Sequence, residues 1–285
     1  MPSAVDQSLN IENLEKLLDQ QTEFLTFSEV NRAYRCIEFL SHGAPSCQKS
    51  PLPPCSVKNS KKSFEFGEEV TDTIAGWVKK GFVAGPFDTP PLKNFRVNSV
   101  LAIDQGEKIR PVLNVSLPEE LSFNSNINDF EMEKVKMSNA RRFGFSVCEA
   151  GKNATMTKFD LVDAYKNVPA KIFDLRLQGF SWLGKYFLEC RQIFGARTAV
   201  ANFDIFGNTL LTLACAGQEF PKKLFHRTLD DTPFVAPAHK NWCEIFTDCY
   251  RSVCYSVGVP LAPECPKFEK AFCNSKKGKV LGIFF

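Results

Sequence analysis

A chain of 285 residues with 44% hydrophobic and 24% charged residues has ordinary globular composition, which excludes disorder along its whole length. A net charge of +3 permits a polyanionic partner without requiring one. The longest uncharged run in the most apolar region, Ile205 to Gln218, is interrupted by Asn208, Thr209 and Thr212, and is too short and polar for a membrane span of about 20 residues.

In chain order, Met1-Pro-Ser-Ala-Val-Asp6 lacks the basic and apolar regions of a secretory signal, so an intracellular location in cytoplasm or nucleus is expected. Ile11, Leu14 and Leu18 recur at helical spacing behind Ser8, and a second periodic stretch runs from about Glu29 to Leu40 and stops at Gly43. From Ala44 to Lys62 the chain turns to Pro, Ser, Lys and Cys, and its prolines predict a linker with no regular element. Residues 1–62 are therefore read as a weakly packed leader and linker, and residues 63–285 as the main domain. The eleven cysteines are irregularly spaced with no C-x-x-C pair, which suits buried free thiols. Cys36, His42, Cys47 and Cys55 have spacings unlike common zinc modules.

Beyond the linker, Glu68 to Lys80 has helical periodicity with Gly81 placed to cap it. Asn98 to Asp104 and Lys108 to Val115 straddle Asp104-Gln-Gly-Glu107 as a hairpin. Asn139 to Ala150 reads as a helix capped by Ser138 and ended by Gly151, and Thr155 to Leu161 as a strand finishing in acidic residues. A second hairpin joins Leu175–Trp182 to Tyr186–Arg191 across Leu183-Gly-Lys185. Ala199 to Glu219 is apolar all round, as in a buried helix. Leu224 to Val235 carries Asp230-Asp231 in its middle, Asn241 to Val257 is an amphipathic helix before Gly258, and Val280 to Phe285 is a last strand.

Two acidic places invite a chemical reading. Asp160 ends an apolar strand, where a carboxylate is costly to bury unless paired or metal-bound. Asp230 and Asp231 are adjacent carboxylates that raise each other's proton affinity. Brought together across neighbouring strands within about 6 Å, Asp160 and Asp230 would form an oxygen-rich site for a hard ion such as Mg²⁺. Taken singly, each also fits a plainer role, an exposed Asp-Asp turn and a helix cap at Asp163.

The order of the pieces favours the chemical reading. Gly81-Phe-Val-Ala-Gly-Pro-Phe87, Asn94-Phe-Arg-Val-Asn98, Lys108-Ile-Arg-Pro-Val-Leu-Asn114, Ser122 to Asp129, Lys158 to Pro169, Phe194-Gly195 and Leu229-Asp-Asp231 together resemble reverse transcriptases, in particular the RNA-directed DNA polymerase of DIRS-like retrotransposons. The resemblance covers about Phe64 to Phe285. It implies an α+β right-hand polymerase with fingers near Phe64 to Gly151 and part of Ala170 to Phe194. The palm would be Lys152 to Pro169 and about Gly195 to Phe285, an antiparallel sheet backed by helices, with the thumb absent.

The same resemblance implies that Asp160, Asp230 and Asp231 are catalytic and, with Leu161, hold two Mg²⁺ ions, Mn²⁺ being a substitute. Lys108 and Arg110 would grip the triphosphate of a deoxynucleotide, as point charge and fork respectively. Asp163, Ala164 and Tyr165 would line the nucleotide site, the Tyr165 ring excluding a 2′-hydroxyl by bulk. Phe194 and Gly195 would position template and primer, and Lys270 or Lys267 would protonate pyrophosphate. Thr228 departs from the family, which often has Tyr or another larger residue there. The implied partners are an RNA template, a DNA primer, dNTPs and other retroelement proteins, with no membrane. A non-catalytic nucleic-acid-binding remnant of a retroelement is the rival reading, and a soluble scaffold a third.

Overall fold

Hydrophobic periodicity and glycine-marked turns partition the chain into a mixed α+β fold in the computed structural model, which describes residues 9–106, 108–267 and 270–285. In chain order the first elements are α1 (Ile11–Gln21), α2 (Phe27–His42), β1 (Cys55–Ser56), α3 (Lys61–Glu65), α4 (Gly67–Lys79), β2 (Val83–Phe87), β3 (Arg96–Asp104) and β4 (Ile109–Asn114). There follow α5 (Ala140–Ala150), β5 (Thr155–Asp160), β6 (Gly179–Trp182), β7 (Lys185–Glu189), α6 (Arg197–Cys215) and β8 (Asp231–Ala236). The last are α7 (Trp242–Val257), β9 (Phe272–Ser275), β10 (Lys279–Val280) and β11 (Ile283–Phe284). The segment read for targeting, Ser8 behind the first helix, and Glu107 of the first hairpin lie outside the described residues.

Two compact units divide the described chain, one from residues 38–134 and 165–202, the other from residues 9–37, 135–164 and 203–285. The first unit holds a sheet ordered β1-β3-β6-β7-β2, with β4 paired to β3. The hairpins β3–β4 and β6–β7 are antiparallel, as Gly106 and Gly184 at positive φ permit, while β1 and β6 run parallel to β3. Its core packs Val70 and Ile74 of α4 against Val100, Leu113, Phe180 and Trp182 of the sheet. The second unit holds an antiparallel sheet ordered β8-β5-β9. Its sheet is packed by rings: Phe159 stacks on Tyr250 of α7 at 4.8 Å, and Phe234 lies 4.8 Å from Phe246.

Several expectations need correction. Residues 9–62 are not weakly packed, and residues 1–8 lie outside the described residues. Leu14 and Leu18 of α1 are fully buried, and α1 is tied to the end of α7 by Asn10 N–H to the Val257 carbonyl (2.7 Å) and Asn13 Nδ2 to the Ser256 carbonyl (2.9 Å). Asn10 caps α1, and Asn139, not Ser138, caps α5, each side chain accepting an N–H three residues on. Residues 175–177 belong to a 3₁₀ turn instead of a strand, and Leu281-Gly282 folds the last segment into the β10–β11 hairpin. The proline-rich stretch also contributes β1. It is held because the fully buried Arg96 guanidinium donates to the carbonyls of Pro53 and Leu121, both at 2.6 Å, and Arg176 donates to Leu52 at 3.0 Å.

Arg96 thus supplies from β3 the donors that the prolines lack. Arg96→Met, which keeps the bulk and removes two charged hydrogen bonds, should lower stability by about 2–4 kcal/mol. Urea unfolding measures that loss, and faster limited proteolysis within residues 44–60 locates it.

Candidate active site

The acidic residues meet because of strand register. β5 and β8 pair antiparallel with Asp160 directly opposite Asp231. Residues 225–228 run back alongside β8, Phe225 bridging Phe234 and Thr228 bridging Asp231. Thr228 and Asp231 exchange both backbone bonds, at 2.9 and 3.1 Å, so Leu229 and Asp230 form a two-residue turn. Leu229 takes φ +55°, a conformation that glycine adopts freely and a bulky residue does not. Because Asp231 directs its backbone groups at Thr228, its pairing with Asp160 is the non-hydrogen-bonded kind, with Cα atoms about 4.5 Å apart and side chains on one face.

A cation stands with these carboxylates. Lys158, two residues before Asp160 on the same face of β5, is buried and places Nζ 3.4 Å from Asp231 Oδ1. Burial, then the charges of Asp230 and Asp231, pushes the Asp160 carboxyl up to about 6, against the pull of Lys158 and Lys270. Burial also raises Asp231, which Lys158 opposes and Asp230 reinforces. Three carboxylates therefore share one field. The charge of Lys270 acts on Asp160, and both Lys270 and Lys267 are exposed.

Leu161 follows Asp160 on the main chain. Val162 N–H bonds the Pro260 carbonyl and Ala262 N–H bonds the Asp160 carbonyl. That pairing leaves the Leu161 carbonyl directed to the opposite edge, where Asp230 is next in register. Asp163 sits at φ +50° ahead of the buried Ala164, which opens a 3₁₀ turn.

The other expected residues lie in the first unit. Tyr165 packs edge-on to Phe194 at 5.8 Å, and the Arg110 guanidinium overlies the same ring at 5.8 Å. Lys108 is exposed two positions before Arg110 on the same strand face. Next to Tyr165, Lys166 is ion-paired with the buried Glu189 and lies over the Trp77 ring, which fixes this turn. Gly195 holds φ +99°, which accounts for the glycine; the nearest atom that a side chain would meet is the Leu113 carbonyl at an ordinary 3.6 Å. A cavity of about 470 Å³ lined by Phe24, Leu25, Cys215 and Phe220 includes none of the expected site residues.

Sequence reasoning passed over Lys158 and Glu189. A lysine between Met156 and Phe159 in a strand, two residues before an aspartate, was the available signal for the first. Glu189 had none, because its partner is distant in sequence. For a divalent ion, two facing carboxylates, a third in the turn and a peptide carbonyl are the right donors in kind. Among the described residues, however, no three Asp, Glu, His or Cys side chains converge closely enough to hold a metal ion by themselves. No helix among the described residues is long and apolar enough to cross a membrane.

Comparison with solved structures identifies the fold. Over 100% of this chain and 48% of the other, the model superposes on the foamy viral protease-reverse transcriptase dRH in complex with double-stranded DNA, with TM-score 0.59 and 13% identity. A prototype foamy virus protease-reverse transcriptase mutant gives TM-score 0.57 at 16% identity over 88% of this chain and 32% of the other. The foamy viral protease-reverse transcriptase in complex with dsDNA gives 0.57 at 12% identity over 96% and 54%. The chain thus has a reverse-transcriptase-like fold and spans about half the length of those chains, or less. No family model and no curated protein matches it.

Two measurements probe this electrostatic arrangement. The buried His226 lies between the Ser138 hydroxyl (3.1 Å) and the Ser146 hydroxyl (2.9 Å), and burial, with Arg142 nearby, lowers it to about 4. Its contribution to stability is complete above pH about 6.5 and disappears as pH falls towards 4, by at most about 3 kcal/mol. Asp160 acts in the opposite sense, favouring the folded state as pH falls from about 6 towards 3.8. The His226 effect is therefore read as the difference between wild type and His226→Gln in urea unfolding from pH 7 to pH 4, which should shrink across that window. Lys158→Met should cost about 1–3 kcal/mol at pH 8, where the carboxylates are charged, and less at pH 5. Thermal denaturation at the two pH values checks it.

Proposed function

We propose that the chain is the fingers and palm of an RNA-directed DNA polymerase of the DIRS-like kind, working in the cytoplasm or nucleus on an RNA template, a DNA primer and dNTPs. One observation carries this reading: the strand register that sets Asp160 against Asp231 with Asp230 in the adjoining turn. The neighbours with this fold include reverse transcriptase complexes with DNA and with an RNA/DNA hybrid, which supports a nucleic-acid duplex as the substrate here.

Asp160, Asp231 and the Leu161 carbonyl would hold Mg²⁺, with Asp230 contributing from the turn; Mn²⁺ suits the same oxygen donors. Bound there, such ions would lower the pKa of a primer 3′-hydroxyl and neutralise charge at the α-phosphate and departing pyrophosphate. The primer 3′-hydroxyl would lose its proton to solvent, its oxygen would join the α-phosphorus as the bond to the bridging oxygen breaks, and pyrophosphate would leave. Arg110 presents a planar fork to phosphate oxygens and Lys108 a mobile charge beside it. Tyr165, its ring braced by Phe194 and its backbone by the Lys166–Glu189 pair, excludes a ribose 2′-hydroxyl. Phe194 and Gly195 seat the template, and Lys270 is the proton donor for pyrophosphate because its charge already acts on Asp160.

The placement of Lys158 against Asp231, with no three-residue set converged among the described residues, favours one alternative, a nucleic-acid-binding remnant without turnover. Primer extension on poly(rA)/oligo(dT) with Mg²⁺ separates the two. Extension that Asp160→Asn and Asp230→Asn reduce to background is the expected result; binding of the hybrid without extension in the wild type establishes the remnant. Where extension occurs, Tyr165→Ala should raise ribonucleotide incorporation relative to deoxynucleotide by about tenfold or more.

A further inference from the structure

Behind the acidic turn lies a buried cation that the chemistry above does not use. Arg227 is 7% exposed and its guanidinium is ion-paired with Asp204 of α6, itself 6% exposed. The three guanidinium nitrogens go to separate places: Nε to Asn208 Oδ1 at 3.1 Å, Nη2 to the Asp204 carbonyl at 3.2 Å as well as its carboxylate, and Nη1 to the Leu229 carbonyl at 2.8 Å. Asn208 in turn donates to Asp204 Oδ2 at 2.9 Å. Asp204, Gly207 and Asn208 occupy one face of the helix at spacings of three and four residues.

Gly207 shows that the helix is shaped around this group. A Cβ there would stand 2.3 Å from Arg227 Nη1. Glycine inside a helix is disfavoured against alanine, so its presence in the middle of α6 needs a reason, and room for the guanidinium supplies one. From the other side, Ser138 N–H bonds the Arg227 carbonyl at 3.0 Å, and Thr228 Oγ1 donates to the Ser138 carbonyl at 2.7 Å. The backbone is thus gripped on both sides immediately before Leu229, the residue at φ +55° on which the direction of Asp230 depends.

We infer that Arg227 is a positioning residue for the Asp230 turn: anchored to α6 by Asp204 and Asn208 in the space left by Gly207, it holds the Leu229 carbonyl and thereby the left-handed backbone that aims Asp230. The inference deepens the polymerase reading and rests on it for its catalytic meaning, but the geometric claim stands separately. A plainer role, a buried ion pair packing helix against strand, needs only the contact with Asp204. It leaves unexplained why Nη1 is spent on the one strained residue of the turn. Lysine could keep the ion pair, but a single ammonium cannot serve Asp204, Asn208 and Leu229 together.

The test compares Arg227→Lys, Gly207→Ala and, as a control for general destabilisation, Val253→Ala in the core of α7, by amide hydrogen exchange. Arg227→Lys should speed exchange at the Thr228 and Asp231 amides by about tenfold, as expected for the loss of one charged hydrogen bond, while the amides of residues 156–159 keep their wild-type rates. Gly207→Ala should do the same by displacing the guanidinium, although helix propensity alone would make it stabilising. Wild-type rates at both amides in both variants, or a rise spread evenly over β5 and β8 as in Val253→Ala, would overturn the inference.

Mn²⁺ binding followed by electron paramagnetic resonance separates this from the catalytic reading. If wild type binds Mn²⁺ and Asp230→Asn does not, Arg227→Lys should weaken binding by about tenfold, and unchanged affinity overturns the inference. If wild type binds no Mn²⁺, the polymerase reading fails, and the exchange rates alone decide the role of Arg227.

Discussion

Like charges brought face to face at the end of two paired strands set the terms for the second unit. Asp160 and Asp231 occupy the close, non-hydrogen-bonded position of an antiparallel ladder, partly withdrawn from water, where their repulsion is only weakly screened. Such an arrangement survives only with positive charge nearby. Lys158 supplies part of it from the same face of β5, Lys270 acts from outside, and burial, reinforced by the neighbouring carboxylates, raises the proton affinity of Asp160. A site built this way favours any compact, multiply charged cation that oxygen donors can surround.

The surrounding fold supplies the stiffness that repulsion demands. β5 is flanked on both sides, and the rings of Phe159, Phe234, Phe246 and Tyr250 fill the space between sheet and α7. Hydrogen bonds from Arg227 and Ser138 brace the segment leading into the turn. In the first unit the same logic serves a different group: a buried ion pair, Lys166 with Glu189, steadies the turn that carries Tyr165 beside Phe194. Each unit therefore commits buried charge next to residues of chemical interest, where misplacement by an ångström matters most.

Much of this was legible in the sequence because it is local. Glycine-marked turns gave the β3–β4 and β6–β7 hairpins, and the apolar run into Asp160 gave β5 with its acidic end. The adjacent aspartates suggested an Asp-Asp turn, which the structure places at Leu229-Asp230 with Asp231 opening β8. The illegible parts depend on partners far away in the chain. Prolines in residues 51–54 argue for an irregular linker until Arg96, more than forty positions later, is found donating to Pro53. Similarly, Lys158 is one charge in a strand until register places Asp231 beside it, and nothing near Arg227 in sequence announces that Asp204 and Gly207 enclose it. Asn139 caps α5, while Ser138 is bonded through its N–H to Arg227, through its carbonyl to Thr228 and through its hydroxyl to His226, all far away in the chain.

The two-residue turn at Leu229 and Asp230 makes the chemistry of this chain a matter of parity. Side chains alternate between the faces of a strand, so inserting or deleting one residue within β8, between Asp231 and Phe234, would rotate Asp231 away from Asp160 or turn Phe234 away from α7. Point replacements along this segment can be absorbed by local repacking, whereas a shift by a single codon exchanges inside for outside along the rest of the strand. Variation in length among natural descendants of this sequence should accordingly collect in steps of two, or elsewhere.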